Sequence, residues 1–200
     1  CTFAGFDTYL HTGNIEFTRH HATLLADGFG NGGYTMTPWE GDGEKGYIDT
    51  EMWLYGLPEM STFLQNNGFN DKIIKHRTLL TNSVDKTKWC STSNMWVDTY
   101  LNLPSEFQVT GNSAWGTSGF EIGCDKGQLP LFFLNPSATI LIESDGTRKP
   151  WWTRTVAYTS NPFNNGGAPE INFVCLNSYG QITTSGTGIF YNVRPIFCIG

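Results

Sequence analysis

Charge is scarce in this chain. Of its 200 residues only 15% are Asp, Glu, Lys or Arg, and the 18 acidic residues outnumber the 12 basic ones, for a formal net charge of −6. A chain of that sign lacks the positive field that binding to a phosphate backbone requires, so a nucleic-acid partner is not expected. Long apolar runs are missing as well. No stretch reaches the roughly 18 residues of a membrane span, and the opening CTFAGFDTYLHTG has neither the basic start nor the apolar middle of a secretory signal. Heptads, low-complexity linkers and internal repeats of about 20–50 residues are absent too, which excludes coiled coils and solenoids. The five cysteines, Cys1, Cys90, Cys124, Cys175 and Cys198, are odd in number, widely spaced and never in a CxxC pair. That pattern supports neither a zinc site nor a dense disulfide framework, and it fits free thiols in a protein made in a reducing cytoplasm. Cys175 and Cys198 both fall in strand-like runs near the C-terminus, which leaves a disulfide between them as the alternative to two small buried hydrophobes.

What is abundant is aromatic and turn-forming. Seven Trp, fourteen Phe and eight Tyr can fill an interior, and 23 Gly among many Asn, Ser and Thr mark a surface of neutral hydrogen-bonding groups on many turns. Residues 1–45 alternate short patterned runs with glycine clusters and read as an N-terminal arm or entering hairpin. From residue 46 onward the chain reads as one domain. Met52, Trp53, Leu57, Met60, Phe63 and Leu64 recur at three- and four-residue spacing around Pro58, predicting a helix over about 58–66 that ends at Gly68. NDKIIKHRTLL reads as the start of a second helix running into a strand over about 78–83. Beyond Trp89 come short strands and turns: MWVDTYLN, LPLFF, ATILIESDG, WWTRTVAYT, INFVCLNSYG, QITTSGTG and IFYNVRPIFCI, with LPSEFQVTG as a loop or short helical turn and LNSYGQIT as a hairpin. The fold class implied is α+β, with two helices packed on one side of short antiparallel strands that carry long loops.

Four motifs stand in order in the C-terminal half: Leu103-Pro104-Ser105-Glu106; Trp151-Trp152-Thr153-Arg154-Thr155; Leu176-Asn177-Ser178-Tyr179-Gly180; and Val193-Arg194-Pro195. In order and spacing they resemble an uncharacterised domain family common in phage, prophage and gut bacterial proteins. That family looks like a branch of the C-type lectin-like fold, which formylglycine-generating enzymes share. The resemblance implies a non-catalytic bacteriophage display or adhesion module on a tail, baseplate or head fibre. Such a module would be made in the bacterial cytoplasm, located on the virion, and bind a host-surface glycan or protein through its C-terminal loops. The residues expected to touch that ligand are Tyr158, Asn161, Phe163, Asn164, Asn165, Tyr179, Tyr191 and Asn192, because Tyr and Asn in glycine-rich loops make adaptable contacts at low entropic cost. Phe163 is either tucked beneath its loop or exposed for binding. Glu106, Trp151, Trp152, Arg154 and Arg194 are expected to be structural, with Glu106 pairing with one of the arginines.

Motifs that carry chemistry are missing. There is no GxSxG, no Walker loop and no HExxH. His11, His20, His21 and His76 form no metal-ligand spacing and read as surface or capping groups. Asp42, Glu44, Asp49 and Glu51 fit no EF-hand and read as solvated turn carboxylates, and the Glu-Pro-Asn and Trp-Asn-Asp signatures of calcium-dependent lectins do not occur. No metal, cofactor or catalytic residue is expected. Two other readings stand beside the favoured one. The same low charge and many aromatics suit a decoration or assembly protein buried among virion subunits, including a homo-oligomer. An enzyme of the formylglycine-generating branch would instead need reactive cysteines, whereas Cys175 and Cys198 sit in apolar runs.

Overall fold

Trp151–Val156 is buried at every position, and the rest of the chain is arranged around that fact. A computed structural model describes residues 1–37, 46–85, 90–116, 127–157 and 172–200. It is a mixed α+β fold with mostly antiparallel strands and few helices. Strands β1 (Thr2–Phe6), β2 (Ala22–Leu25) and β3 (Phe29–Tyr34) come first, followed by helix α1 (Leu57–Leu64). Next are β4 (Ile73–Ile74), β5 (His76–Asp85), β6 (Cys90–Thr99) and β7 (Leu101–Asn102). The short helices α2 (Glu106–Thr110) and α3 (Pro130–Leu134) precede β8 (Leu141–Ile142), β9 (Arg148–Lys149) and β10 (Trp151–Val156). Finally come β11 (Asn172–Leu176), β12 (Ile182–Gly186), β13 (Tyr191–Val193) and β14 (Ile196–Ile199).

Two five-stranded sheets result. In the first, β14 pairs with β2 on one side, with β1 outside it, and with β4 and β7 on the other. The second has the order β12-β11-β10-β13-β3, antiparallel except for the β10–β13 pair. Residues 2–34, read from the sequence as an arm or hairpin, thus supply strands to both sheets. The chain crosses between the sheets four times, and two of the crossings are direct, from β2 to β3 and from β13 to β14. These two lock together: Ala26 N–H donates to the Pro195 carbonyl at 2.9 Å, and the Arg194 guanidinium donates back to the Ala26 carbonyl at 3.3 Å.

Alternation along the strands sends neighbouring side chains into two separate hydrophobic clusters. Trp152, Val156, Phe173, Cys175, Val193 and Phe197 join one with Leu57, Met60 and Leu64 of α1; Trp151, Leu176, Ile196 and Cys198 join the other with Val109 of α2 and Phe132 of α3. The helices are therefore divided between two cores, and the expectation of two helices on one side is corrected. The expected second helix is instead strand. Ile73 and Ile74 pair with Ile199 and Cys198, and two β-branched residues that find a half-built sheet edge gain more from that pairing than from a helical turn. LPLFF departs in the opposite direction. Pro130 occupies the first turn of α3, where its missing N–H costs nothing. Helix α1 is extended at both ends by π-helical turns, Met52–Gly56 and Gln65–Phe69, and is broken at Asn67 and Gly68.

Two histidines read as surface or capping groups are interior. His21 Nε2 accepts from Tyr9 N–H at 3.2 Å while its Nδ1 faces the Arg19 carbonyl at 2.9 Å, so both ring nitrogens have partners. His76 packs against the Tyr9 ring at 4.4 Å, is fully buried, and has no hydrogen-bond partner at either ring nitrogen. Burial, then the nearby His21 and Arg154, push its pKa down to about 3. A histidine buried neutral binds fewer protons folded than unfolded, so its contribution to stability is complete above the ordinary value near 6.5 and shrinks as pH falls from there toward 3. For this one group the loss is about 1 kcal/mol per pH unit. His76→Phe should flatten the dependence of the urea midpoint on pH between 6.5 and 4.5; parallel curves for the two proteins would contradict this account.

Candidate functional site

The four sequence motifs meet around β10. The β10–β11 register slips between Trp152 and Val156, and in the interval the strand exchanges partners. Thr153 Oγ1 still donates to the Val174 carbonyl at 2.8 Å, but Arg154 N–H donates to the Pro104 carbonyl at 3.1 Å, and Thr155 Oγ1 accepts from Glu106 N–H at 2.8 Å. The bulge thus stitches the first motif to the second. Ser105 caps α2 in a reciprocal capping box with Gln108, and Gln108 Nε2 donates on to the Tyr9 hydroxyl at 2.9 Å.

Glu106 is fully buried, yet it does not pair with an arginine as the sequence suggested. Its carboxylate accepts the backbone N–H groups of Ala114 at 2.9 Å, Trp115 at 3.2 Å and Gly116 at 2.9 Å. Gly111, at φ +77, ends α2 in the left-handed conformation and turns the chain so that these three amides face back toward the first turn of the same helix. Arg194 satisfies itself elsewhere. It donates to the Ala138 and Ala26 carbonyls, lies 3.7 Å from the Asp27 carboxylate and sits 5.3 Å above the Trp151 ring. Burial lowers its pKa to about 10, opposed by the Asp27 charge, so it stays protonated at neutral pH. Both tryptophans are fully buried, and each indole N–H reaches a carbonyl: Trp151 that of Thr139 at 2.8 Å, Trp152 that of Tyr34 at 2.9 Å. Arg154 is buried as well, and its charge reaches both His76 and Tyr47.

Of the eight residues expected to touch a ligand, Tyr179, Tyr191 and Asn192 are among the described ones. Tyr158, Asn161, Phe163, Asn164 and Asn165 are outside the described residues; the strand that leads to them leaves at Ala157. Tyr179 is 70% exposed at the tip of the β11–β12 hairpin, whose turn is held by Asn177 Oδ1 accepting from Tyr179 and Gln181 N–H. That tip is at the far end of β11, since Leu176 pairs with Trp151 whereas Phe173 pairs with Val156. Five residues of strand, about 17 Å, separate the two levels. Tyr191 turns inward and packs its ring 4.8 Å from Trp152. Asn192 points the other way, into a groove of about 410 Å³ shared with Asp27, Gly28, Phe29, Glu143, Ser144 and Asp145. Tyr179, Tyr191 and Asn192 therefore do not share one surface.

At the Ala157 end, stems converge. Gly116 bridges Ala157, Ala157 N–H donates to the Asn172 carbonyl at 2.9 Å, Asn172 pairs with Gly186, and Met36 N–H donates to the Thr187 carbonyl at 2.9 Å. Gly116, Ala157 and Asn172 thus meet at one end of the second sheet. Glu106 anchors the Gly116 stem, and nothing in the sequence marked that role except the glutamate's place after an N-cap serine.

Cys1 is a free, exposed thiol, whereas Cys175 and Cys198 are sequestered. The latter two are free thiols that face different hydrophobic clusters, so the disulfide considered above does not form. Burial pushes each thiol up to about 12. No group of three or more His, Cys, Asp and Glu able to hold a metal occurs among the described residues, and no described helix is long and apolar enough to cross a membrane. No family model, curated protein or solved structure matches the chain.

Two outcomes follow from this geometry. Glu106→Ala leaves three backbone N–H groups without their acceptor and should cost about 2–4 kcal/mol in denaturant unfolding, with faster amide exchange at residues 114–116; a change under about 0.5 kcal/mol would refute the anchoring role. Iodoacetamide at pH 8 should leave Cys175 and Cys198 unmodified in the native protein and label both in urea, as peptide mapping will read; rapid native labelling of either would overturn the inert-thiol assignment.

Proposed function

We propose that this chain is a non-catalytic binding module of C-type lectin-like architecture, displayed on a bacteriophage particle, that contacts a host-surface glycan or protein with the Ala157 end of its second sheet. The observation that carries the reading is the convergence there of the stems at Gly116, Ala157 and Asn172, fastened by the Gly116–Ala157 bridge, the Ala157–Asn172 hydrogen bond and the Asn172–Gly186 pair. Stems fixed by a buried scaffold lower the ordering cost of any contact made from them. The lectin-like assignment is supported by the meeting of all four shared motifs around β10 and by the pairing of the last strand, β14, with β2 near the chain's start. Buried, unreactive Cys175 and Cys198 weigh against the formylglycine-generating chemistry.

A specific observation favours a second reading, the assembly component. Phe6 on the outer strand β1 and Phe133 and Leu134 on α3 are 74%, 72% and 78% exposed, and α3 packs against β1. Large apolar side chains gathered on adjoining elements mark a subunit interface more often than a free surface.

Alanine substitutions divide the readings. On glycan arrays and in host-cell binding, alanine at Tyr158, Asn161, Phe163, Asn164 or Asn165 should weaken binding about tenfold where the residue is a hot spot. Tyr179→Ala, at the other end, should leave binding unchanged, and Tyr191→Ala should lower stability through Trp152. Unaltered binding across the first set sinks the proposed face. Sedimentation tests the alternative: a monomer in dilute solution argues against obligate assembly, and a dimer or larger species that Phe133→Ser or Leu134→Ser dissociates argues for it.

A further inference from the structure

A cleft of about 610 Å³ opens between the β2–β3 crossover and helix α1, within the range of about 300–1,000 Å³ that small-molecule sites occupy. Met60 and Leu64 form its apolar floor, and Phe29, Tyr34 and Phe63 stand around it. The Phe29 and Phe63 rings meet edge to face, 5.4 Å apart at 87°. Phe63 is 55% exposed although its helix neighbours Met60 and Leu64 are buried, so its ring walls the cleft instead of filling the core.

The charges are two carboxylates and the amino group of Cys1. Asp27 and Glu59 both line the cleft, and no Lys, Arg or His does. Asp27 is already engaged by the Thr2 hydroxyl at 2.6 Å, the Arg194 guanidinium at 3.7 Å and the amino group of Cys1, itself a wall residue, at 2.8 Å. Glu59 differs. It lies exposed in the first turn of α1, it forms no ion pair among the described residues, and it acts on the Tyr34 phenol through its charge and a side-chain hydrogen bond.

We propose that this cleft binds an organic ammonium group, with the faces of Phe29, Tyr34 and Phe63 against its alkyl shell and Glu59 as its counter-charge. Ring faces carry the negative part of the aromatic quadrupole and attract a cation whose bulk also displaces water from an apolar floor, which is how aromatic cages take methylated ammonium ions. An anionic ligand meets the Glu59 carboxylate, while Asp27 and the Cys1 amino group offset one another. A neutral apolar ligand would cover the floor but desolvate Glu59 without compensation. None of these residues belongs to the stems at the Ala157 end, so the site stands independently of the contact face proposed above.

The test is titration of the full chain with choline chloride and with tetramethylammonium chloride, followed by two-dimensional NMR at constant ionic strength. The neutral isostere 3,3-dimethylbutan-1-ol serves as the comparison. Both ammonium ions should bind in the millimolar range, and the alcohol about tenfold more weakly. Phe63→Leu should weaken ammonium binding about tenfold, and Glu59→Gln several-fold while leaving the alcohol unaffected. Both substituted side chains are exposed, so unchanged circular dichroism should accompany each loss. Equal binding of alcohol and choline reduces the site to an apolar pocket and overturns the proposal. So does the absence of saturable shifts at the cleft, or binding that Phe63→Leu and Glu59→Gln leave intact.

Discussion

Because successive side chains of a strand point to opposite faces, burying both Trp151 and Trp152 obliges the protein to build a hydrophobic cluster on each side of β10. Most of the architecture follows. β11 and β14 share the alternation, so Cys175 and Phe197 enter one cluster while Leu176, Ile196 and Cys198 enter the other. Helices are then needed on both sides, which divides α1 from α2 and α3. Truncating a fully buried indole costs about 3–5 kcal/mol, a large share of the roughly 5–15 kcal/mol that holds a typical domain folded. With two such residues in succession, the strand cannot shift by one position without exchanging one large ring for another across the sheet. Register here is set by volume as much as by hydrogen bonding.

A strand buried on both faces has to satisfy its polar residues internally, and the centre of β10 is Thr-Arg-Thr. An unpaired buried polar group costs about 1–3 kcal/mol. The slip between Trp152 and Val156 resolves this by turning the middle of the strand away from β11 and toward the segment at Pro104–Glu106. Once Glu106 is fixed there by its own N–H, its side chain enters an interior where a carboxylate needs several donors. The amides of residues 114–116 supply them. An arginine pair would have required a second buried charge to be desolvated, whereas backbone amides at a tight turn are already oriented. The Trp-Trp pair, the bulge, the buried glutamate and the returning loop are successive consequences of one another.

Much of this was legible in the sequence where local chemistry decides. LPSEFQVTG, read as a loop or short helical turn, holds α2; LNSYGQIT, read as a hairpin, joins β11 to β12; and the adjacent Trp151 and Trp152 take opposed faces. Tertiary context decided the rest. Ile73 and Ile74 carried a helix-compatible pattern, but they lie where β14 needs partners. Pro130 looked like part of a strand because LPLFF is apolar, yet a proline at a first turn serves a helix equally well. His21 and His76 looked like surface groups because histidine is polar; only the positions of Tyr9 and Arg19 reveal them as core. Tyr179, Tyr191 and Asn192 were grouped by composition, and composition cannot register that one crowns a hairpin, one packs on Trp152 and one faces a groove.

The division of the second sheet into two ends also changes what the Tyr179 hairpin is for. Gly180 adopts φ +75, and a Cβ placed there would come within 2.5 Å of Thr139 Oγ1, so the turn is pressed against the segment that carries Thr139. That same segment receives the Trp151 indole through the Thr139 carbonyl and the Arg194 guanidinium through the Ala138 carbonyl. The hairpin thus closes over a knot of buried donors, and its exposed tyrosine is the outer surface of a support. Sequence change at the Trp151 end works against glycine geometry, an indole hydrogen bond and a buried guanidinium together. A binding module that varies its contacts while keeping its core cannot place that variation at the Trp151 end, and the opposite end of the same sheet is where the proposed contact face lies.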